Sequence, residues 1–311
     1  MAAPATELVK SAVLAGTITR PPRSLWKDAW WQFRRHHLAM VALGTLGFLI
    51  VFTLLGPLVY HTPIDVIDFT LSLKGPSADH LLGTDDLGRD LLARAMFGGR
   101  ISIAVGLTSV LIAITLGTTI GAAAGFFNRM DNPLMRLTDL FLSLPVLPLL
   151  LVIIYLFRDS LRTAFGPELG IFLMIVGVIG VLNWMPVARL VRASFLSLKQ
   201  KEFVEAARSV GARDRRIIVR HILPNAMSPI LVAATIGVGG AILTESTLSF
   251  LGLGFPSDVP TWGRILYDAR NYLDIAPHWA IFPGLFIFLT VLSINFIGDG
   301  LRDALDPRKT S

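Results

Sequence analysis

The segment QKEFVEAARSVGARDRRIIVRHILPN, residues 200–225, is polar and basic, yet it lies between two strongly apolar stretches of the chain. Its first half places Phe203, Val204, Ala206, Ala207 and Val210 in one apolar stripe at helical spacing, so residues 200–210 read as a short basic helix. Gly211 follows where a helix end calls for a left-handed residue, which glycine adopts without a Cβ penalty. Asp214 is positioned to cap a second helix from Arg215, with its acid at the favourable end of the helix dipole. Pro224 is expected to end that helix, and Ser228 and Pro229 to supply the N-cap and first position of the next. A flexible connector needs none of this punctuation. An amphipathic helix resting on anionic lipid and a helix that docks a partner protein both fit it.

Outward from this segment the chain is built for a bilayer. Of its 311 residues 53% are hydrophobic and 16% charged, with a mean hydropathy of +0.63. Soluble domains carry about 25% charged residues. Runs near the roughly 20 residues needed to cross about 30 Å of hydrocarbon fall at 38–60, 101–127, 137–157, 171–190, 229–253 and 281–298. The expected fold is an all-α integral membrane protein with about six transmembrane helices. Pro145 and Pro148 interrupt the third run and Pro186 the fourth, where lost donors kink a helix but neighbours can satisfy the freed carbonyls. The polar segment 1–35 is too long before the first run for a cleavable signal peptide, so that span is expected to be permanent.

Charge sets the expected orientation. Lys10, Arg20, Arg23, Lys27, Arg34 and Arg35 precede the first run. Arg192, Lys199, Lys201, Arg208, Arg213, Arg215, Arg216 and Arg220 separate the fourth from the fifth, with Arg189 at the membrane edge. Asp65, Asp68, Asp79, Asp85, Asp86 and Asp90 follow the first run, and Asp258, Asp268 and Asp274 follow the fifth. Basic loops stay inside, so both termini and the 128–136 link are expected in the cytoplasm. This divides the chain into a cytoplasmic segment 1–37, a first span with an extracytoplasmic segment 38–100, a core 101–300 containing a cytoplasmic loop 192–228, and a cytoplasmic tail 301–311. The net charge of +6 sits in these links, which is a membrane pattern and argues against a nucleic-acid partner. Absence of cysteine excludes disulfides, thiol nucleophiles and thiolate metal sites.

Other candidates come from residue type and position. Gly117, Gly121 and Gly125 form a small-residue row suited to close helix packing. Thr84 suits an N-cap and Asp85 and Asp86 a first helical turn; a metal site there lacks the glycine-bent loop of EF-hand type, and no metal is expected. Glu245 lies within a span, where a charge costs about 2.5–3.5 kcal/mol, so it must face protein or water, as a packing lock or a path-lining group. Asn183 and Trp184, near Pro186, form a satisfied polar pair at a kink or line a cavity. His36 and His37 are neighbours on different helix faces, suited to headgroups rather than a metal. Trp262, Tyr272 and Trp279 read as an aromatic belt.

Glu205-Ala206-Ala207, Gly211 and Leu223-Pro224 together resemble the EAA loop of ABC importer permeases. That pattern runs Glu-Ala-Ala, three residues, Gly, nine residues, an apolar residue, any residue, Leu-Pro. His221 stands here at the apolar position, and the run 221–225 is similar to the peptide-permease variant. The run 83–90 resembles the Gly-Thr-Asp-x-x-Gly-Arg-Asp signature of C-type dipeptide and oligopeptide permease subunits. The run 245–254 resembles their fifth-span ending, with Ser246 where Ala is more usual, and the likeness extends to 26–40 and 299–307.

The resemblance implies a type I ABC importer permease in a bacterial inner membrane, with no covalent chemistry or cofactor of its own. Glu205, Ala206, Ala207, Gly211, His221, Leu223 and Pro224 would couple to an ATPase: the alanines allow close approach, Gly211 permits the turn, and Glu205 pairs with a base or caps a partner helix. The implied partners are a second permease subunit in a heterodimer, two ATPase subunits that bind ATP and Mg2+, and an extracytoplasmic solute-binding protein, besides membrane lipid. The chain has no Gly-x-x-x-x-Gly-Lys-[Ser/Thr] run, so phosphate binding must come from another chain. The implied solute is a dipeptide or oligopeptide, with nickel chelates or another small solute as the alternative. A stand-alone secondary transporter would show broken spans with paired ionisable residues at mid-membrane, and Glu245 alone does not supply them. A membrane-embedded enzyme would need a nucleophile–base or metal constellation, which these residues do not form.

Overall fold

The computed structural model describes residues 25–305. The expectations placed on residues 1–24, including Lys10, Arg20 and Arg23, and on the tail 306–311 lie outside the described residues. Helices α1 (Leu25–Arg35), α2 (His37–Val59), α3 (Leu91–Phe126), α4 (Asn128–Ser143), α5 (Val146–Phe165) and α6 (Pro167–Leu182) come first. Helices α7 (Trp184–Leu198), α8 (Glu202–Ser209), α9 (Leu223–Phe250), α10 (Trp262–Ala269) and α11 (Pro277–Ala304) follow. Five helical runs among the described residues are long and apolar enough to cross a membrane, and six if the bent pair α4–α5 counts as one span.

Prolines decide where the spans break. The third expected span is two helices bent by 86°. Pro145 disfavours helical backbone at Leu144, whose ψ is 137°, so α4 stops there. The fourth breaks at Asn183, because the Pro186 ring would meet the Leu182 carbonyl in a continuous helix. Pro224 does not end a helix. A π turn over Ile217–Ile222 runs into α9, and Pro224 falls in the first turn of α9, where its missing N–H leaves no gap. Pro229 is therefore inside α9, and Ser228 and Pro229 start nothing. The expected link 128–136 belongs to α4. Asp131 on α4 pairs with Arg192, and Asp139 with Arg189, so two of the counted arginines strap α4 to α7.

Small residues set the main crossing. Gly117, Gly121 and Gly125 of α3 lie against α7. A Cβ on Gly117 would stand 2.6 Å from Val187 Cβ, and one on Gly125 2.6 Å from Phe195 Cβ. One buried core gathers Val105, Ile175, Ile179, Met185 and Ala188 where α3, α6 and α7 meet. A second gathers Phe126, Phe195, Val204, Ile217 and Ile222 at the end of the bundle that carries the basic segment 199–222, the basic end. The acidic segments occupy the opposite end.

At the entry to α2, His36 breaks the chain between two helices, and its Nδ1 accepts the Ala39 N–H at 3.1 Å. It is a cap rather than a residue on a helix face. The aromatic belt is also corrected. Trp262 and Trp279 are fully buried: Trp262 donates its indole N–H to the Ala95 carbonyl at 2.9 Å and stacks on Phe286, and Tyr272 stacks on Trp279. Once its N–H is satisfied, a tryptophan belongs in a core as much as at an interface.

Replacing Gly121 by Leu should cost about 1–3 kcal/mol through overpacking, since its Cβ would stand 2.8 Å from Val191 Cβ. Gly177→Ala, where a Cβ meets nothing within 4 Å, should leave stability unchanged or slightly raised. Melting temperatures of the detergent-solubilised protein compare the two.

Candidate functional site

Helix α8 starts at Glu202 and ends in a Schellman motif. The Ala212 N–H reaches the Ala207 carbonyl at 3.0 Å and the Gly211 N–H reaches the Arg208 carbonyl at 2.9 Å, with Gly211 at φ +78°. Asp214 is the first residue of the following turn, not its cap, because its side chain makes no cap bond and Arg213 takes the N-cap position. Its acid still sits in the first turn, where the dipole favours it.

The apolar stripe expected on α8 divides into two edges. At about 100° per residue, Val204 and Ala207 turn toward the body and are buried against Phe126, Phe195, Ile217 and Ile222. Phe203, Ala206 and Val210 face away, and Val210 is 83% exposed. Ala207 therefore packs inside this chain and is not available for close approach by a partner; Ala206 is. Glu205 is exposed, with no ion pair among the described residues. Leu223 is half-buried against the same core, Pro224 is exposed, and His221, half-buried, accepts the Asn225 amide through its carbonyl at 2.6 Å. Lys199 ties the element to the bundle, donating to the Phe126 carbonyl at 2.5 Å and to Asn128 Oδ1 at 2.9 Å.

At the acidic end, Asp85 organises a knot. Its carboxylate accepts the backbone N–H of Leu87 (2.9 Å) and of Arg89 (2.8 Å) and the Arg89 Nε (2.6 Å). Arg94, also buried, stands 3.7 Å away and donates to the carbonyls of Ile64 and Ser257. The cap of α3 is Asp90, not Thr84. Asp90 accepts the Ala93 N–H at 2.8 Å, the Tyr60 hydroxyl at 2.7 Å and His80 Nδ1 at 2.8 Å. Thr84 is buried: it accepts the Lys74 N–H and donates to the Leu71 carbonyl. Gly88, at φ +77°, sits so close to Asp68 that a Cβ would stand 2.7 Å from its carbonyl carbon. With their oxygens committed to arginine, caps and backbone, Asp85 and Asp90 are structural acids. Burial and the neighbouring Asp85 push the Asp86 carboxyl above the usual range, and burial does the same to Asp268 across the same cleft.

A family described as binding-protein-dependent transport system inner membrane component matches residues 90–311, and the N-terminal TM domain of oligopeptide transport permease C matches residues 24–76. The chain belongs to this family of transport permeases. It is 40% identical over 289 residues to the dipeptide transport system permease protein DppC of Alkalihalophilus pseudofirmus, covering 93% of this chain and 91% of that one. It is equally 40% identical to the oligopeptide transport system permease protein OppC of Haemophilus influenzae, over 92% of this chain and 89% of that one. The glutathione transport system permease protein GsiD of Pectobacterium atrosepticum matches at 40% over 93% of each chain. In fold, the chain is similar to the MetNI methionine ABC transporter in inward-facing conformations, with a TM-score of 0.55 and 19% identity over 70% of this chain and 96% of that one. The architecture is that of a type I ABC importer permease, an all-helical multi-pass membrane protein.

Within this permease, Glu245 of α9 is fully buried and faces α3. It accepts Ser102 Oγ at 3.2 Å and Ser249 Oγ at 2.8 Å, and Ser249 in turn meets Thr261, the cap of α10. Asn183 lies in the α6–α7 break, its amide donating to the Ile179 carbonyl at 2.7 Å. The sequence reading missed Phe203 and Val210 as an outward face, although their spacing with Ala206 carries it. It also missed Arg94 and Asp85 as an ion pair, since contact between residues nine apart depends on a loop folding back.

Asp85→Ala would leave Arg89 and Arg94 buried without their acid. The expected cost is about 3–5 kcal/mol, read as a large fall in melting temperature, with Asp79→Ala on the exposed part of the same segment as a neutral reference.

Proposed function

We propose that the chain is one permease subunit of an ATP-driven ABC importer for dipeptides or oligopeptides, forming half of the translocation path. The observation that carries this is the two-edged helix α8. Val204 and Ala207 fix it to the permease body, while Phe203, Glu205, Ala206 and Val210 are offered to something else. A helix resting on lipid would need one apolar face, and α8 has already used its inward edge within the chain. The exposed remainder is small enough to lodge in a groove of an ATPase subunit. The partners are a second, related permease subunit in a heterodimer, two ATPase subunits carrying ATP and Mg2+, and an extracytoplasmic solute-binding protein. This chain hydrolyses nothing itself.

The solute follows from the relatives, whose names specify dipeptides, oligopeptides and glutathione, itself a small peptide. The host membrane is the bacterial inner membrane, with the basic end and both termini in the cytoplasm by the distribution of Lys and Arg. Closure of the ATPases on ATP would push α8. Because α8 shares one buried core with the ends of α3, α7 and α9, the push moves these spans as a body and switches the cavity between outward and inward access.

Gly211 tests the coupling. A residue with a side chain pays roughly 1–2 kcal/mol in the left-handed region, and a β-branched one more, although a Cβ there would meet nothing within 4 Å. In proteoliposomes carrying the assembled complex, Gly211→Val should sustain ATP hydrolysis while peptide import falls. Gly211→Asn, which tolerates this conformation, should retain import. Normal coupled import by the valine variant would rule out α8 as the coupling element.

A further inference from the structure

A half-open cavity of about 540 Å3 indents the side of the bundle between α3, the α6–α7 break and α9, with Asn183, Leu190, Ile236 and Gly240 exposed around it and Ser109 buried. Three polar side chains line it, Ser109, Asn183 and Thr244, and no charged one does among the described residues. Thr244 is already satisfied, its hydroxyl donating to the Gly240 carbonyl of its own helix at 2.8 Å. Ser109 is not. It is 1% exposed, and its hydroxyl has no hydrogen-bond partner among the described residues. Serine in a membrane helix ordinarily returns its proton to a carbonyl one turn back, as Thr108, Thr115 and Thr119 do on the same helix. A buried hydroxyl left without that bond carries a desolvation cost that a ligand can relieve.

The break at Asn183 supplies the complementary groups. The Asn183 amide nitrogen holds the Ile179 carbonyl, and its oxygen receives no hydrogen bond from the described residues. Pro186, which has no N–H to offer, and Val187 complete this wall of the cavity, so the polar group on this side is the Asn183 amide. Across the cavity, a Cβ added at Gly240 would meet nothing within 4 Å, so that wall has room.

We infer that this cavity is a solute-contact site that holds neutral hydrogen-bonding groups, the main-chain amides of a passing peptide, through the Ser109 hydroxyl and the Asn183 amide oxygen. The proposal rests on the importer reading and names where in this subunit the solute touches it. Donors and acceptors without charge fit amide units, which every peptide carries whatever its side chains. An ionised group would enter without a counter-ion and is disfavoured. The site therefore contributes grip without sequence preference. A volume of this order suits a small ligand or a short stretch of a longer one.

The chain lacks cysteine, so one introduced residue is its sole thiol. The assembled importer in nanodiscs, carrying Asn183→Cys or Gly240→Cys, is probed with a charged, water-soluble methanethiosulfonate. Leu111→Cys, on an exposed apolar position of α3, is the lipid-facing reference. Each unit by which burial raises a thiol pKa lowers the reactive thiolate about tenfold, so the cavity thiols should react at least about tenfold faster than the reference. Peptide with its binding protein and ATP should slow that reaction, and the reacted complex should lose import while still hydrolysing ATP. Asn183→Ala should lower import by about three- to tenfold, the effect of one lost hydrogen bond. Gly240→Cys keeps the test open where the Asn183 variant does not assemble. Cavity thiols as inert as the reference in every nucleotide state would overturn the proposal, as would labelling that peptide does not slow. Thiols reactive in the isolated chain but inert in the complex would show instead that a partner helix fills the cavity, which also overturns it. Import by the unmodified complex is measured alongside. If that fails, the importer reading fails; if it holds and the cavity thiols stay silent, only this site does.

Discussion

Everything in this bundle hangs on how closely α3 and α7 can approach. Three glycines one turn apart remove the side chains that would hold the helices apart, and Val187, Val191 and Phe195 fill the space. In a bilayer no hydrophobic effect drives helices together, so dispersion across such a seam is the main attraction available. The seam runs toward the basic end, where Phe126, Phe195 and the Lys199 bonds to the α3 terminus close it. The floor on which α8 rests is therefore the last stretch of the same contact. Loosening the seam would remove the bed of the exposed helix as well as a span.

The sequence was most legible where a single residue type forces a local outcome. Gly211 announced a left-handed helix end, the 117–125 row announced a packed seam, and apolar runs announced spans. It was least legible where proline meets a membrane helix. Pro224 and Pro229 read as boundaries because in water a lost hydrogen bond ends a helix. Here a π turn and the surrounding spans absorb it, and α9 runs straight through. The break at Asn183 was seen only as a kink, since Pro186 acts on the residue four before it.

At the site, the Glu205-Ala206-Ala207 pattern located the exposed helix, but not which alanine faces outward. That depends on how α8 is rotated against Phe126 and Phe195, which are distant in sequence. The run 83–90 was recognisable as a motif and misread as a helix start. Its real task, a carboxylate satisfying two arginines while the neighbouring acid caps α3, is a product of loop closure that spacing does not reveal.

The length of α3 has a consequence beyond packing. At 36 residues it is about 54 Å long, well beyond the hydrocarbon thickness. One tip is sealed into the floor beneath α8, and the other is clamped by Asp90, Asp85 and Arg94 to loops that begin near Ile64 and Ser257. A rod held stiffly at both tips cannot tilt at one face of the membrane without tilting at the other. The two faces of this permease are thereby placed on a common clock: an event at the basic end and the posture of the opposite surface are set by the same rigid body, with no relay of small steps in between.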